Sequence, residues 1–576
     1  MKVFSKKAMT AFAALAMCCG SLTANAAVIE QSADRYIINV DQMDLNGEER
    51  LLDILMMLPD VMTVDGKQPI NGGLHETLFG QYAVRVDNMN IQIDPEVFVQ
   101  NTKAREIKCI KVCVNPGIQK GCGRLKQVID IYYRSNEEGN KGRVALEADS
   151  YGQAGLFATD WVTGKNYTLH TYAIGGLEHK KFDGVKEHAS KENLRAHINW
   201  NITDKDNLII TAAQGFKREK ANGEGNPAAY TRSVNFDACY TRDLGNSAYA
   251  MFQVGADYNH GNGIGSRTLN TNPYGLIELG APFISKNLFL NGGIETGYSG
   301  TTETIGSDDP VTSRERYEDF YAQLDWNCGK FNLSIGDRLR MTNKWVEGIY
   351  PVGAERFTHN AVNNHVTVSS WINFNEHNIL QGTFARRFDG PNIPVLAALQ
   401  AGALVTESPI YTSELRYTYQ KKDMNIMGII KNVHINGINE DVVNGSGIET
   451  AIDHSNVLQF GITGYWHVGI LRLTAGINYN WLKLSYANNS NDYTRFVNLK
   501  VCPQFSLSNG FRITSKLIYN SHMAYNNPYY SPANFYAELG ASKEFNEHWL
   551  VEAKFHDIAG QRTGNRAVTV GATFSF

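Results

Sequence analysis

The chain has 576 residues, too many for one ordinary hydrophobic core, so several domains or one very large sheet are the options. Its 54 Lys and Arg against 58 Asp and Glu leave a net charge of −4, with no basic excess pointing to nucleic acid. Counts of 28 Tyr, 26 Phe and 52 Gly suit aromatic-rich strands joined by glycine turns.

The opening stretch MKVFSKKAMTAFAALAMCCGSLTANAA has a basic start, an apolar middle and a small-residue site at Ala24-Asn25-Ala26. It reads as a signal peptide over 1–26, which makes the protein an exported one. Met17 is a poor fit ahead of a lipid-modified Cys18, so the lipoprotein reading is weaker. Beyond Ala27 no run approaches the ~20 apolar residues that a membrane helix requires. The mature chain is therefore soluble or a β-barrel, the other structure that satisfies its whole backbone in lipid.

Residues 34–138 mix helix and strand. NGEERLLDILMMLPDV carries Leu51, Leu52, Leu55 and Leu58 at helical spacing, and Pro59 stops the helix. Short strands are expected in MTVDG, YAVRVDNMNI, EIKCIKVCVNPG and KQVIDIYYR. A second helix is expected in DPEVFVQNTKARE, with Asp94 as its cap.

From Gly139 to Phe576 the pattern becomes strand, short turn, strand, long connection. In LRAHINWNI the residues Leu194, Ala196, Ile198 and Trp200 share one parity, and Arg195, His197 and Asn199 the other. LRLTAGINYNW repeats the pattern, with Leu471 to Trp481 against Arg472 to Asn480. Period two over such lengths means one apolar and one wet face. Ten short polar turns alternate with longer segments such as KREKANGEGNPAA and NHGNGIGSRTLNTN, the arrangement of an outer-membrane barrel. The count gives an all-β transmembrane barrel of about 22 antiparallel strands behind a small α/β N-terminal plug. A soluble sandwich or propeller is the competing reading, but no blade-length repeat is present.

The final strand NRAVTVGATFSF alternates Val568, Val570, Ala572, Phe574 and Phe576 with Thr and Gly. Pairing it with the first strand would close the sheet and remove its edges. Phe574 and Phe576 are the candidate closure and assembly signal, one that resembles what the barrel-assembly machinery reads.

The order of pieces in 34–138 resembles the plug of TonB-dependent outer-membrane receptors. The matching positions are Leu58-Pro59, Asp87, Ile110 to Cys113, Asn115-Pro116 and Val128 to Ile131. Within the barrel, GTFARRFDGPNIPVLAALQ and the later SPIYTSELRYTYQ extend the likeness, which covers nearly all of the mature chain. The resemblance implies uptake of a scarce small ligand through an occluded lumen. The implied partners are outer-membrane lipid, the barrel-assembly machinery, TonB and a surface lipoprotein. Siderophore, cobalamin, glycan and peptide all remain open as ligand.

In the short segment 27–33, Val28, Ile29 and Glu30 are the candidate TonB contact. Asn88 stands where the family has Gly, and Lys111 where Glu is usual. These departures keep a second reading open, a receptor-like barrel without energised transport that serves surface binding or assembly.

No catalytic or cofactor site assembles from the sequence. The cysteines 109, 113, 122, 239, 328 and 502 lack zinc spacing and read as small buried thiols, although Cys113 and Cys122 could meet across a turn. Gly261 to Ser266 reads as a turn in an outer loop, since no helix follows it for a phosphate site. No HExxH or HxxxH pair is present. The expectation is a non-enzyme without cofactor or metal.

Overall fold

The computed structural model describes residues 29–32, 35–40, 43, 45, 49–59, 61, 81–87, 89–90, 95–114 and 125–134. From 138 to 576 it describes all but 183–184, 222–228, 264–265, 306–309, 348–356, 390–407, 422, 439–442, 445–446, 449–451, 487–490, 522, 525–529, 532, 547 and 560–565. The expected signal peptide, the MTVDG strand, the Asp94 cap and Cys122 lie outside the described residues.

Twenty-two antiparallel strands, from Gly139–Asp149 to Ala567–Ser575, form one closed barrel. The last strand pairs with the first from Thr569↔Asp149 to Ser575↔Arg143. Parity decides which face is which. Leu194, Ile277 and Val570 are 55%, 55% and 53% exposed, whereas Arg195, Glu278 and Thr569 on the alternate face are 3%, 5% and 8% exposed. A soluble protein would bury the apolar set. Here the apolar parity faces outward as a continuous belt, and burying it in hydrocarbon is what stabilises it.

All ten expected short turns join paired strands. At one of them Asn246 and Ser247 take φ of 53° and 64°, the left-handed pair that a two-residue hairpin turn requires. The long connections differ from expectation in one respect. NHGNGIGSRTLNTN is mostly strand, because Ala248–Gly263 pairs with Ser266–Phe283 up to Gly263↔Ser266. Both faces of such a hairpin are wet above the membrane, so hydrophobic alternation stops while main-chain pairing continues.

Inside the barrel sits a six-stranded sheet with two short helices. In chain order these are β1 (Ile29–Ser32), β2 (Arg35–Asn39), α1 (Leu51–Leu55), β3 (Gln81–Val86), β4 (Met89–Asn90), α2 (Pro95–Asn101), β5 (Ile107–Val114) and β6 (Leu125–Tyr133). The sheet order is β1-β2-β5-β6-β3-β4, with β3 and β6 parallel. The sheet takes in Ile29–Ser32, from the segment read as preceding the plug.

Helix α1 begins where the Asp53 carboxylate accepts from the Arg50 N–H at 3.0 Å, and it ends ahead of Pro59, which has no N–H to continue it. α2 starts on Pro95, whose fixed φ suits a first helical turn. Leu51, Leu52, Ile54, Leu55, Phe98, Val112, Ile129 and Ile131 form the plug core, which continues into the lumen-facing Phe157, Tyr172, Tyr465 and Tyr536. Cys239, Cys328 and Cys502 are free thiols.

Phe576 extends the closure seam. Its N–H and C=O exchange 2.9 Å bonds with Gly142, and its ring lies over the face where Gly142 has no side chain. Phe574 packs at a tilt against Trp549, with ring centroids 5.0 Å apart. Deleting Phe576 should therefore lower barrel yield and slow the gain of heat-modifiable gel migration. Wild-type yield and migration in that variant would contradict the seam's importance.

Candidate functional site

The candidate site is the junction between plug and lumen wall, built mostly of paired charges. Glu49, Arg50 and Asp53 sit at the start of α1, facing the strands Leu471–Tyr486, Asn491–Ser506, Phe511–Asn520, Asn534–Glu544 and Trp549–His556. Arg472 Nη1 meets Glu49 Oε1 at 2.6 Å, Arg50 Nη2 meets Glu552 Oε1 at 3.2 Å, and Lys516 Nζ meets Asp53 Oδ1 at 2.7 Å. A cavity of about 110 Å³ lies between these groups, walled also by Met56, Met57 and Cys502.

The other end of α1 is held by its carbonyls. Lys500 Nζ donates to Leu58 O at 2.7 Å and Val61 O at 3.1 Å, and Asn478 Nδ2 donates to Pro59 O. These carbonyls lie in the turns just past α1, where a buried cation and an amide satisfy acceptors that have left the helix. Across the plug, Arg143 binds Asn101 O at 2.7 Å and Glu106 at 3.1 Å, and Arg105 donates to Ser575 Oγ at 2.9 Å. At the β3–β4 tip Asp87 takes φ of 49°, and its carboxylate accepts from His197 Nε2 at 2.9 Å. Thr211 Oγ1, 2.8 Å from His197 Nδ1, orients that imidazole.

Opposing charges set the electrostatics of α1. Burial alone would raise the Asp53 carboxyl, but Lys516 and Arg50 outweigh it and hold it below its ordinary range. Burial would likewise weaken the charge on Arg50, yet Glu552, Glu147 and Asp53 hold its guanidinium firmly protonated. Removing one member of such a half-buried pair leaves the other poorly compensated, at a cost of about 1–3 kcal/mol.

Higher on the wall the polar parity is also largely self-compensated. Arg338 lies between Asp319 and Glu295, with Nε 3.0 Å from Asp319 Oδ2 and Nη2 2.6 Å from Glu295 Oε2. Tyr249 and Tyr321 each donate to Glu278 at 2.5 Å. Gln459 and Asn480 stand opposite each other, two register steps above the Asn478 contact, and their buried side-chain amides have no hydrogen-bond partner among the described residues. This is the kind of position that takes up water or a polar ligand group. Among the described residues no cluster of three or more His, Cys, Asp or Glu could hold a metal.

Of the residues singled out in the sequence, Leu58 and Pro59 anchor the plug through their carbonyls and Asp87 through its carboxylate. Ile29 and Glu30 lie in β1, at an edge of the plug sheet. Phe574 and Phe576 line the seam. Val28, Asn115 and Pro116 lie outside the described residues. Glu49, Arg50, Asp53, Lys500, Lys516 and Glu552 were not anticipated. Parity alone places the wall residues inward, but partners more than 400 positions away leave no local signal.

No family model and no curated protein matches the sequence. Solved structures do match. The ferric citrate transporter FecA aligns at TM-score 0.74 and 10% identity over 97% of this chain and 100% of its own. The copper transporter OprC aligns at 0.72 and 11% over 96% and 100%, and the siderophore receptor PiuA from Acinetobacter baumannii at 0.69 and 10% over 97% and 99%. A closed barrel with an apolar outer belt is built to sit in a membrane, since every backbone group is paired and the belt meets hydrocarbon. The chain has the fold of the TonB-dependent outer-membrane receptors, a plug seated in a 22-stranded barrel.

Proposed function

We propose that the protein is an outer-membrane uptake receptor whose plug closes the lumen until a periplasmic partner of TonB type moves it. The observation carrying this reading is how the plug is held. It fills the lumen, yet polar pairs such as Lys516–Asp53, Arg472–Glu49 and His197–Asp87 carry much of its attachment. Such groups regain water when pulled away, so the junction can open and reseal.

The position of β1 adds to this. Ile29 pairs with Ile38, at the end of β2 that meets Cys109 of β5, and Arg105 just before that strand reaches Ser575 beside the short turns. The chain therefore enters the plug from the short-turn, periplasmic side, and β1 offers a free sheet edge there. An extended partner segment could add to such an edge. Proteins of the same fold carry ferric citrate, copper and siderophores, so a metal ion or metal chelate is the ligand class to screen first.

β1 is also hydrogen-bonded into the plug through β2, which favours the second reading, a barrel that binds at the surface without energised transport. Immobilised TonB C-terminal domain separates the two. Full-length protein should be captured, and protein lacking residues 27–33 should not. Equal capture of both, or of neither, would overturn the energised reading.

A further inference from the structure

We propose that the seam between plug and lumen wall holds a singly charged anion of halide size, seated on Arg195. Arg195 stands on the inward face of strand Val185–Asn201 and is 3% exposed, yet none of its three guanidinium nitrogens has a hydrogen-bond partner. Other inward cations of the wall are different, since Arg338 meets Asp319 and Arg472 meets Glu49. A guanidinium does not give up its proton in proteins, so Arg195 is a charge taken out of water with nothing bonded to it.

The groups around it are the second observation. Tyr172 pairs directly with Arg195 from strand Tyr167–Phe182, is itself 3% exposed, and its hydroxyl also lacks a partner. His170, on the same face two residues away, has Nε2 2.6 Å from Thr159 Oγ1 and an unpartnered Nδ1. With Thr159 donating to Nε2, that Nδ1 carries the ring hydrogen and becomes a further donor. The walls around these donors are aromatic. Trp161 stacks on His170 at 3.8 Å, Tyr133 of β6 meets the same ring at 4.8 Å, and Phe157 packs on Tyr172 at 4.9 Å. On its other flank Arg195 pairs with Ala213, whose methyl supplies no acceptor. Converging buried donors without an acceptor are what an anion satisfies.

Charge and burial limit what the anion can be. Asp87 and Asp237 act on Arg195 from a distance, and neither bonds to it. Asp87 accepts from His197 and Asp237 from Tyr274, and Arg85 acts on the Tyr274–Asp237 pair. Two carboxylates nearby repel a multivalent ion far more than a monovalent one, and a double charge is also harder to strip of water. Arg195, Tyr172 and His170 are each at most 3% exposed, so the occupant is small. The donors belong to the wall and Tyr133 to the plug, which places the ion in the seam. The assignment needs only a seated plug, so it stands apart from the uptake reading.

The test uses the full-length protein in detergent, exchanged into gluconate, and equilibrium dialysis against radioactive chloride. Wild type should bind a single chloride per chain saturably, with bromide competing and sulfate not. Arg195→Gln should weaken that binding on the order of tenfold or more, and Tyr172→Phe severalfold. Arg316→Gln, at an exposed arginine of the outer face, should leave it unchanged. Tyr172→Phe removes only a hydroxyl, so it keeps the comparison open if Arg195→Gln folds poorly. Bromide-exchanged crystals should show their anomalous peak beside the Arg195 guanidinium. Uptake only at molar chloride, as for an adventitious ion, would overturn the assignment. So would unchanged binding in either variant, sulfate competing as well as bromide, or a bromide peak elsewhere.

Discussion

Replacing Arg338 with methionine should strip the barrel wall of a fully buried cation and leave Asp319 and Glu295 facing each other. Asp319 is 0% exposed and has no bulk water to fall back on, keeping only Arg340 at 3.7 Å, while Glu295 is partly exposed. The expected loss is about 3–5 kcal/mol, seen as a lower temperature of conversion in heat-modifiable gels and a lower urea midpoint. Adding Asp319→Asn and Glu295→Gln should recover most of it, because the penalty comes from uncompensated charge. The exposed Arg316–Glu318 pair is the control, and breaking it should cost less than about 1 kcal/mol. If Arg338→Met behaves like that control, the wall pairs do not hold the barrel as described.

Exchanging both Lys500 and Lys516 for methionine should unseat the plug while sparing the barrel. Lys500 donates to two carbonyls behind α1, and Lys516 pairs with Asp53 from the wall. Losses of about 1–3 kcal/mol at each of the two sites together correspond to an open population raised on the order of thirtyfold or more. The readouts are single-channel conductance in planar bilayers and cellular sensitivity to vancomycin, which intact outer membranes exclude.

Acid should act with opposite sign on the two proteins. Seated beside Lys516, Asp53 has its carboxyl lowered, so its contribution is complete above the ordinary value of 3.8 and lost as pH falls through the lowered one. Wild-type leak should therefore rise only in strong acid. Without Lys516, the same carboxyl keeps only Arg50 against the burial that raises it, so protonating it relieves part of the strain and the variant's leak should shrink on acidification. A double variant that is as tight as wild type in both assays would show that the plug is seated by its apolar contacts alone.

Much of the architecture was legible because each strand carries its own period-two record. Arg195, His197 and Arg472 could be assigned to the lumen from parity, and the structure puts all three there, with His197 and Arg472 touching the plug. The ten tight turns were legible from Gly, Asn and Asp chemistry. Helix α1 was visible in its leucines, although it begins only at Leu51, since Arg50 forms a bridge with Lys103. The strand extensions around 248–283 were hidden, because above the membrane no hydrophobic face marks a pairing strand.

Local order in the chain determined the kind of molecule: an alternating, turn-punctuated run long enough to close on itself, preceded by a compact mixed unit. Tertiary structure alone decided how the two parts grip each other. Asp53 with Lys516, Arg50 with Glu552 and Leu58 with Lys500 join positions more than 400 residues apart. Hydrophobic periodicity is a property of neighbours along the chain and can be read there. The partner of a buried charge is set by where a closed barrel brings its wall, and that is fixed only once every strand has found its register.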